Sequence, residues 1–249
     1  MSKLTLLEMV QDILNDLDGD EVNSINDTVD SQKIAQIIKT TYYNIISGID
    51  YPHLFELFTM TGLGNVNKPN YLQIPESIEV VKWLKYNIRS STDTKDKYTE
   101  IKYISPEEFI TLVDARDSSL STIQVVQDYS GVTMNIYKDR QPTYYTSFDD
   151  DYIILDSFDN SVDTTVQSSK TKSFGKRKTT FTIDDDFIPD LHTQMFSYLL
   201  SEAKSMAFSV EKQALNPKVE QISRVQRHRM SQDGWKLKRG ISYPNYGRK

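Results

Sequence analysis

The stretch from Ile188 to Met230 constrains this chain more than any other. It opens on Ile188-Pro189-Asp190 and carries Leu191, Met195, Leu199, Ala203 and Ala207 at a spacing of four. That spacing lines one side of an α-helix. Pro189 suits a first turn, where its missing N–H is not needed. The acidic run Asp184-Asp185-Asp186 suits the positive end of a helix dipole. No glycine interrupts the stretch, and the next proline is Pro217. The pattern predicts two consecutive helices, the first about 25 residues long, at the upper end for a globular helix. Arg224, Arg227, Arg229, Lys236, Lys238, Arg239, Arg248 and Lys249 then make a basic end. A core helix is thus expected to lead into a polar, extended arm over residues 232–249. An arm that cannot bury itself is expected to touch something else.

Charge sharpens that expectation. From Asn216 to Lys249 there are nine Lys/Arg against Glu220 and Asp233, a surplus of 7 in a chain whose net charge is −6. The remainder therefore carries −13. An acidic body with a basic tail points to self-assembly or to an acidic partner. A dedicated nucleic-acid module would be basic throughout. A nucleic-acid-binding accessory protein that uses only its tail is the alternative.

The N-terminal part predicts two more helices. Leu4, Leu7, Val10, Ile13, Leu14 and Leu17 recur at helical spacing over residues 3–18, ended by Gly19. The second runs from Asp30 or Ser31 to Gly48, with Ile34, Ile37, Ile38, Tyr42, Ile45 and Ile46 on its apolar face. Two helices with one apolar face each need a third surface, and the Ile188 helix is the candidate. The two ends of the chain are therefore expected to meet.

The middle reads as strands. Short β-rich runs near Phe58–Thr61, Asn70–Pro75, Ile78–Ile88, Tyr98–Ile104, Ile123–Gln127, Val132–Tyr137, Tyr144–Thr146 and Asp151–Asp156 are separated by turn residues. Ser105-Pro106-Glu107-Glu108 is a helix start. Ser157–Lys178 is polar and reads as a long flexible hairpin, with Thr179–Ile183 as the last strand. The expected fold class is α+β: a helical bundle from residues 1–50 and 184–231, a β-rich antiparallel insertion over 51–183, and the extended arm.

The residues for catalysis are not arranged for it. His53, His192 and His228 have no metal-ligand spacing. Asp16-Leu17-Asp18-Gly19-Asp20-Glu21 fails as a calcium loop, because Glu21 stands where the loop needs Gly and Asp27 where it needs Glu. Asp149–Asp151 and Asp184–Asp186 read as a turn and a helix start. There is no phosphate-cradling glycine loop and no Gly-x-Ser-x-Gly. No cysteine is present, so disulfides and thiolate metal sites are excluded. No apolar run reaches the roughly 18 residues of a membrane span. The expectation is a non-enzyme made in the cytosol, with no catalytic residues, no metal, no cofactor and no membrane. Fifteen Tyr against 10 Phe and 2 Trp suit both strands and wet interfaces.

The order of motifs resembles a known family. An N-terminal helix precedes Glu21-Val22-Asn23-Ser24-Ile25-Asn26-Asp27. A second helix ends in Tyr51-Pro52-His53-Leu54-Phe55. A β-rich region holds Leu72-Gln73-Ile74-Pro75, and Phe187-Ile188-Pro189-Asp190 leads into a long helix. This resembles the head-to-tail adaptor (connector) proteins of tailed bacteriophages, including the tail tubular protein A type. That family commonly carries a Trp near the aromatic-Pro stretch, where Tyr51 and Phe55 stand here. The resemblance implies a structural virion protein of the neck, assembled in the host cytoplasm. It implies a homo-oligomeric ring, commonly dodecameric, beneath the portal protein. Such a ring extends the channel through which genomic DNA passes and carries the tail, a nozzle or a second adaptor. The C-terminal segment would contact the portal through Arg224, Arg227, Arg229, Trp235, Lys236, Lys238, Arg239, Tyr243 and Tyr246, the aromatics acting as anchors among the charges.

Overall fold

The computed structural model describes residues 3–48, 52–89, 94–211 and 217–238. In chain order the elements begin with α1 (Leu6–Asp16), α2 (Val29–Gly48), β1 (Phe55–Phe58), β2 (Thr61–Gly62), β3 (Tyr71–Gln73) and β4 (Ile78–Asn87). There follow β5 (Tyr98–Tyr103), α3 (Pro106–Asp114), β6 (Ile123–Gln127), β7 (Thr133–Tyr137) and β8 (Tyr144–Thr146). The chain continues with β9 (Tyr152–Leu155), β10 (Thr171–Arg177), α4 (Thr193–Glu211) and α5 (Pro217–Lys238). Met1–Leu54 with Thr179–Lys249 forms one compact unit, and Phe55–Lys178 forms another.

In the first unit, α1 is capped by a reciprocal pair: Thr5 accepts from Glu8 N–H at 3.2 Å, and Glu8 accepts from Thr5 N–H at 2.8 Å. Leu6, Met9, Val10, Ile13 and Leu14 are buried on one face. The helix packs against α2 and α4. Lys204 on α4 reaches Asp12 at 2.8 Å and Asp16 at 2.6 Å on α1. The segment before α4 is tied in as well. Phe187 O accepts from Leu6 N–H at 2.8 Å, and Asp185 accepts from Ile25 N–H at 2.8 Å. The row Leu191, Met195, Leu199, Ala203 and Ala207 is fully buried. The helix itself starts only at Thr193, because residues 188–192 turn instead, with Leu191 N–H donating to Pro189 O.

The second unit is one curled eight-stranded sheet, a half-barrel in the order β1-β10-β4-β5-β8-β9-β3-β2, with a separate β6–β7 hairpin. Its core holds Tyr71, Leu72, Leu84, Tyr86, Ile101, Tyr145 and Ile153–Leu155, covered by Phe109 and Val113 of α3. The α3 start carries the second reciprocal cap, between Ser105 and Glu108. Because α3 and the hairpin cross from one strand to the next, β5 and β8 run parallel.

Three expectations are corrected here. The chain is not a helical bundle with an antiparallel β insertion. It is a mixed fold of five helices and a large mixed sheet, among the described residues, and the sheet dominates the core. The reason is that eight strands drawn from across residues 55–177 join in one continuous hydrogen-bonded layer, whose residues supply that unit's core. The extended arm is corrected too: residues through Lys238 are α-helical in α5, and residues 239–249 lie outside the described residues. Finally, Ser157–Lys178 is not a flexible hairpin. It holds a short 3-10 turn and then β10, which is bonded on both sides, while Thr179–Ile183 forms no strand.

Gly175 makes the β10 position possible. A Cβ there would lie 2.4 Å from Val80 O, 3.0 Å from the Phe58 ring and 3.3 Å from Ile78. Gly175→Ala is therefore expected to cost about 1–3 kcal/mol through overpacking, read from the urea unfolding midpoint. Gly48→Ala, where nothing lies within 4 Å of the new Cβ, is the matched control and should be neutral or slightly stabilising.

Candidate interaction surface

The outer side of the sheet carries a row of aromatic rings set among lysines. The β1–β10 register pairs Phe55 with Lys176 and Leu57 with Phe174, so alternation sends these four to one side. In the β10–β4 register Phe174 faces Trp83 and Gly175 faces Val81, so Lys82 is an extra residue in a bulge. A bulge re-aims its strand: Val81 packs on the core, while Lys82 and Trp83 both meet the outer row. The rings of Phe55 and Phe174 stand 5.5 Å apart, and those of Phe174 and Trp83 5.8 Å apart, each pair within 17° of parallel.

Lysine ammoniums sit over the rings. Lys82 Nζ lies 5.7 Å from the Phe55 centroid, Lys85 Nζ 5.1 Å from that of Trp83, and Lys172 Nζ 3.8 Å from that of Tyr98. Lys176 is buried and pairs with Glu79 at 3.4 Å. Leu57 at the row's edge is 71% exposed. This side of the sheet is therefore aromatic and basic in a chain of negative net charge.

Two other polar clusters in this unit are structural. Arg116 and Asp156 form an ion pair at 3.2 Å, their side chains only 7% and 8% exposed. Arg116 also donates to Asn135 O at 3.0 Å and Asp156 O at 2.6 Å, and lies 4.3 Å from the Tyr137 ring centre. Burial pushes the Arg116 guanidinium below its usual range, opposed by the Asp156 charge. Asp156 accepts from the N–H groups of Thr143 and Tyr144, both at 2.9 Å. Its oxygens are committed to holding β8, so it is no candidate general base. In the second cluster Asp128 accepts from the Tyr71 hydroxyl at 2.8 Å and from Ser130 N–H and hydroxyl at 3.0 and 2.7 Å. Burial alone would raise its pKa, but these hydrogen bonds outweigh burial and hold it at about 2. Burial and the bond to Asp128 push the Tyr71 hydroxyl well above its ordinary range.

No protein-family model and no curated protein matches the chain.

The residues singled out from the sequence are placed as follows. Arg224 and Arg227 are exposed on α5, Arg224 within 3.0 Å of Glu220 one turn earlier. Arg229, Trp235, Lys236 and Lys238 continue α5. Arg239, Tyr243 and Tyr246 lie outside the described residues. His53 and His192, distant in sequence, come within 6.2 Å between ring centres. Among the described residues no three His, Asp or Glu converge as metal ligands. Asp149 accepts from the N–H groups of Asp151 and Tyr152, and Asp184 from that of Asp186, which are turn bonds. Sequence reasoning missed the Phe55, Phe174 and Trp83 row. Its signal is the alternation Lys172-x-Phe174-x-Lys176, together with Lys82-Trp83-x-Lys85.

Two consequences can be measured. Arg116→Met strands a buried carboxylate and should cost about 3–5 kcal/mol in chemical unfolding. For Asp128 the folded pKa lies below the ordinary aspartate value. Its contribution is thus fully present above the unfolded pKa and lost as pH falls through about 2. The stability gap between the wild type and Asp128→Asn should be widest at neutral pH and shrink by roughly half by about pH 3. A gap independent of pH would show that the Asp128 charge contributes nothing.

Proposed function

We propose that this chain is a structural virion subunit, a head-to-tail adaptor that assembles as a ring, dodecameric in that family, beneath the portal of a tailed bacteriophage. The observation that carries the reading is α5. One side of it is fixed to α4, where Ser223 hydrogen-bonds Glu202 and Gln226 Nε2 donates to Ser197 Oγ at 3.3 Å. Its other side exposes Arg224 and Arg227, Arg224 by 80% at the side chain. A basic helix anchored by one face to an otherwise acidic chain has the charge pattern of a subunit that docks on an acidic neighbour.

The order of short motifs supports the same reading: Tyr51–Phe55, Leu72–Pro75 and Phe187–Asp190 follow each other as in the adaptor family. In this role the portal protein is the neighbour for α5 and the segment after it. The tail, a nozzle or a second adaptor meets the opposite end of the ring. Genomic DNA passes through as a duplex, transiently, and the net negative charge of the remainder of the chain disfavours its adhesion. The role needs no catalytic residue, cofactor or membrane.

Deleting Gly234–Lys249 removes the last turn of α5 and all that follows. The deletion is expected to abolish co-sedimentation with portal rings and leave the thermal unfolding midpoint essentially unchanged. Attachment that survives the deletion removes this segment from the interface. An image of the intact particle that places the chain outside the neck overturns the function itself. DNA binding that is steeply salt-dependent and lost with the deletion would instead favour the accessory-protein alternative.

A further inference from the structure

We infer that the outer side of the β1-β10-β4-β5 layer is a binding site for single-stranded nucleic acid, separate from α5 and independent of the adaptor reading. Flat rings and cations interleave there: Phe55, Phe174 and Trp83 form the row, and Lys82, Lys85 and Lys172 stand over aromatic faces. Proteins hold unpaired strands with this combination, rings for the bases and ammoniums for the phosphates. A strand with stacked-out bases can use the rings; a duplex hides its base faces and is read by a helix or ribbon in a groove.

Two features favour a nucleic acid over a protein partner. Lysine is depleted at protein–protein interfaces, whereas nucleic-acid interfaces are strongly positive. Charge complementarity points the same way. The layer concentrates Lys82, Lys85, Lys102 and Lys172 against Glu100, with Lys176 and Glu79 paired to each other, in a chain of net charge −6. Phe174 is flanked by rings on both sides, so the end rings Phe55 and Trp83 are the stacking positions. Each now has a lysine ammonium near it, at 5.7 and 5.1 Å. An exposed ammonium–ring contact is weaker than a base stacked on a ring. An arriving base therefore displaces the ammonium, which moves to the adjacent phosphate. No covalent step is involved.

The test uses the full chain with Trp235→Phe, which leaves Trp83 as the single tryptophan. Titration with an oligothymidylate of roughly 12 nucleotides, within the range of known single-strand sites, should quench Trp83 emission saturably at low salt. With about three phosphate contacts at about 0.7 each, a tenfold rise in salt should weaken binding roughly 100-fold. Lys82→Glu with Lys172→Glu should weaken it at least about tenfold, each lost phosphate contact lowering affinity. Arg224→Glu with Arg227→Glu on α5 should leave it unchanged. Both pairs are exposed, so an unaltered unfolding midpoint confirms the fold in each variant. The inference fails if no quenching occurs at low salt, or if Lys82→Glu with Lys172→Glu leaves binding intact. It fails equally if a duplex or polyglutamate of matched charge quenches as well as the single strand, since the rings would then read nothing beyond charge.

Discussion

The seating of β10 between β1 and β4 is the constraint on which the sheet depends. This strand comes last in its unit, yet it is hydrogen-bonded on both sides, to the first strand and to the longest one. Its partners lie about 90 to 120 residues earlier in the chain, so these contacts are non-local. The fit is close: Val80 O lies where a Gly175 side chain would begin. Thr171 adds a polar lock, its hydroxyl accepting from Met60 N–H at 2.9 Å and donating to Ser168 O at 2.8 Å. Without this strand Phe55 loses its stacking partner, and the outer aromatic row has no middle ring.

The same strand links packing to surface chemistry. Its inward positions are small, Thr171, Ser173 and Gly175, and at Gly175 the neighbouring strands leave no room for a side chain. Its outward positions carry Lys172, Phe174 and Lys176. The Lys82 bulge in β4 then sets Lys82 beside Trp83 on the outer side. A local irregularity in the ladder thus places Lys82 over the Phe55 ring, while regular alternation places Lys85 and Lys172.

Charge is used in two ways. Inside, Arg116 and Asp156 are paired and bonded to backbone groups of Asn135, Thr143 and Tyr144, which ties together the segments of the crossover after β5. Near the surface, the α5 arginines are exposed and the lysines of the outer sheet lie over ring faces. Exposed ion pairs such as Arg224–Glu220 add little to stability.

The sequence by itself determined the local elements. Repeating apolar positions marked α1, α2 and the buried row of α4, and Ser105-Pro106 marked a helix start, because helix periodicity and caps are written within a few residues. It did not determine the architecture. The polar segment Ser157–Lys178 reads as a flexible hairpin because the inward residues of β10 are small rather than apolar, and the strands that pair with it are distant in sequence. α4 starts at Thr193 rather than at Ile188: residues 188–192 form no regular element, and Leu191 is already buried before the helix begins. The basic residues of the C-terminal region were legible as charge, and Arg224, Arg227 and Arg229 as part of a second helix, but that this helix runs on to Lys238 was not. The ring row of Phe55, Phe174 and Trp83 was decided by tertiary structure alone: its members come from three strands, and pairing register, not spacing along the chain, brings them together.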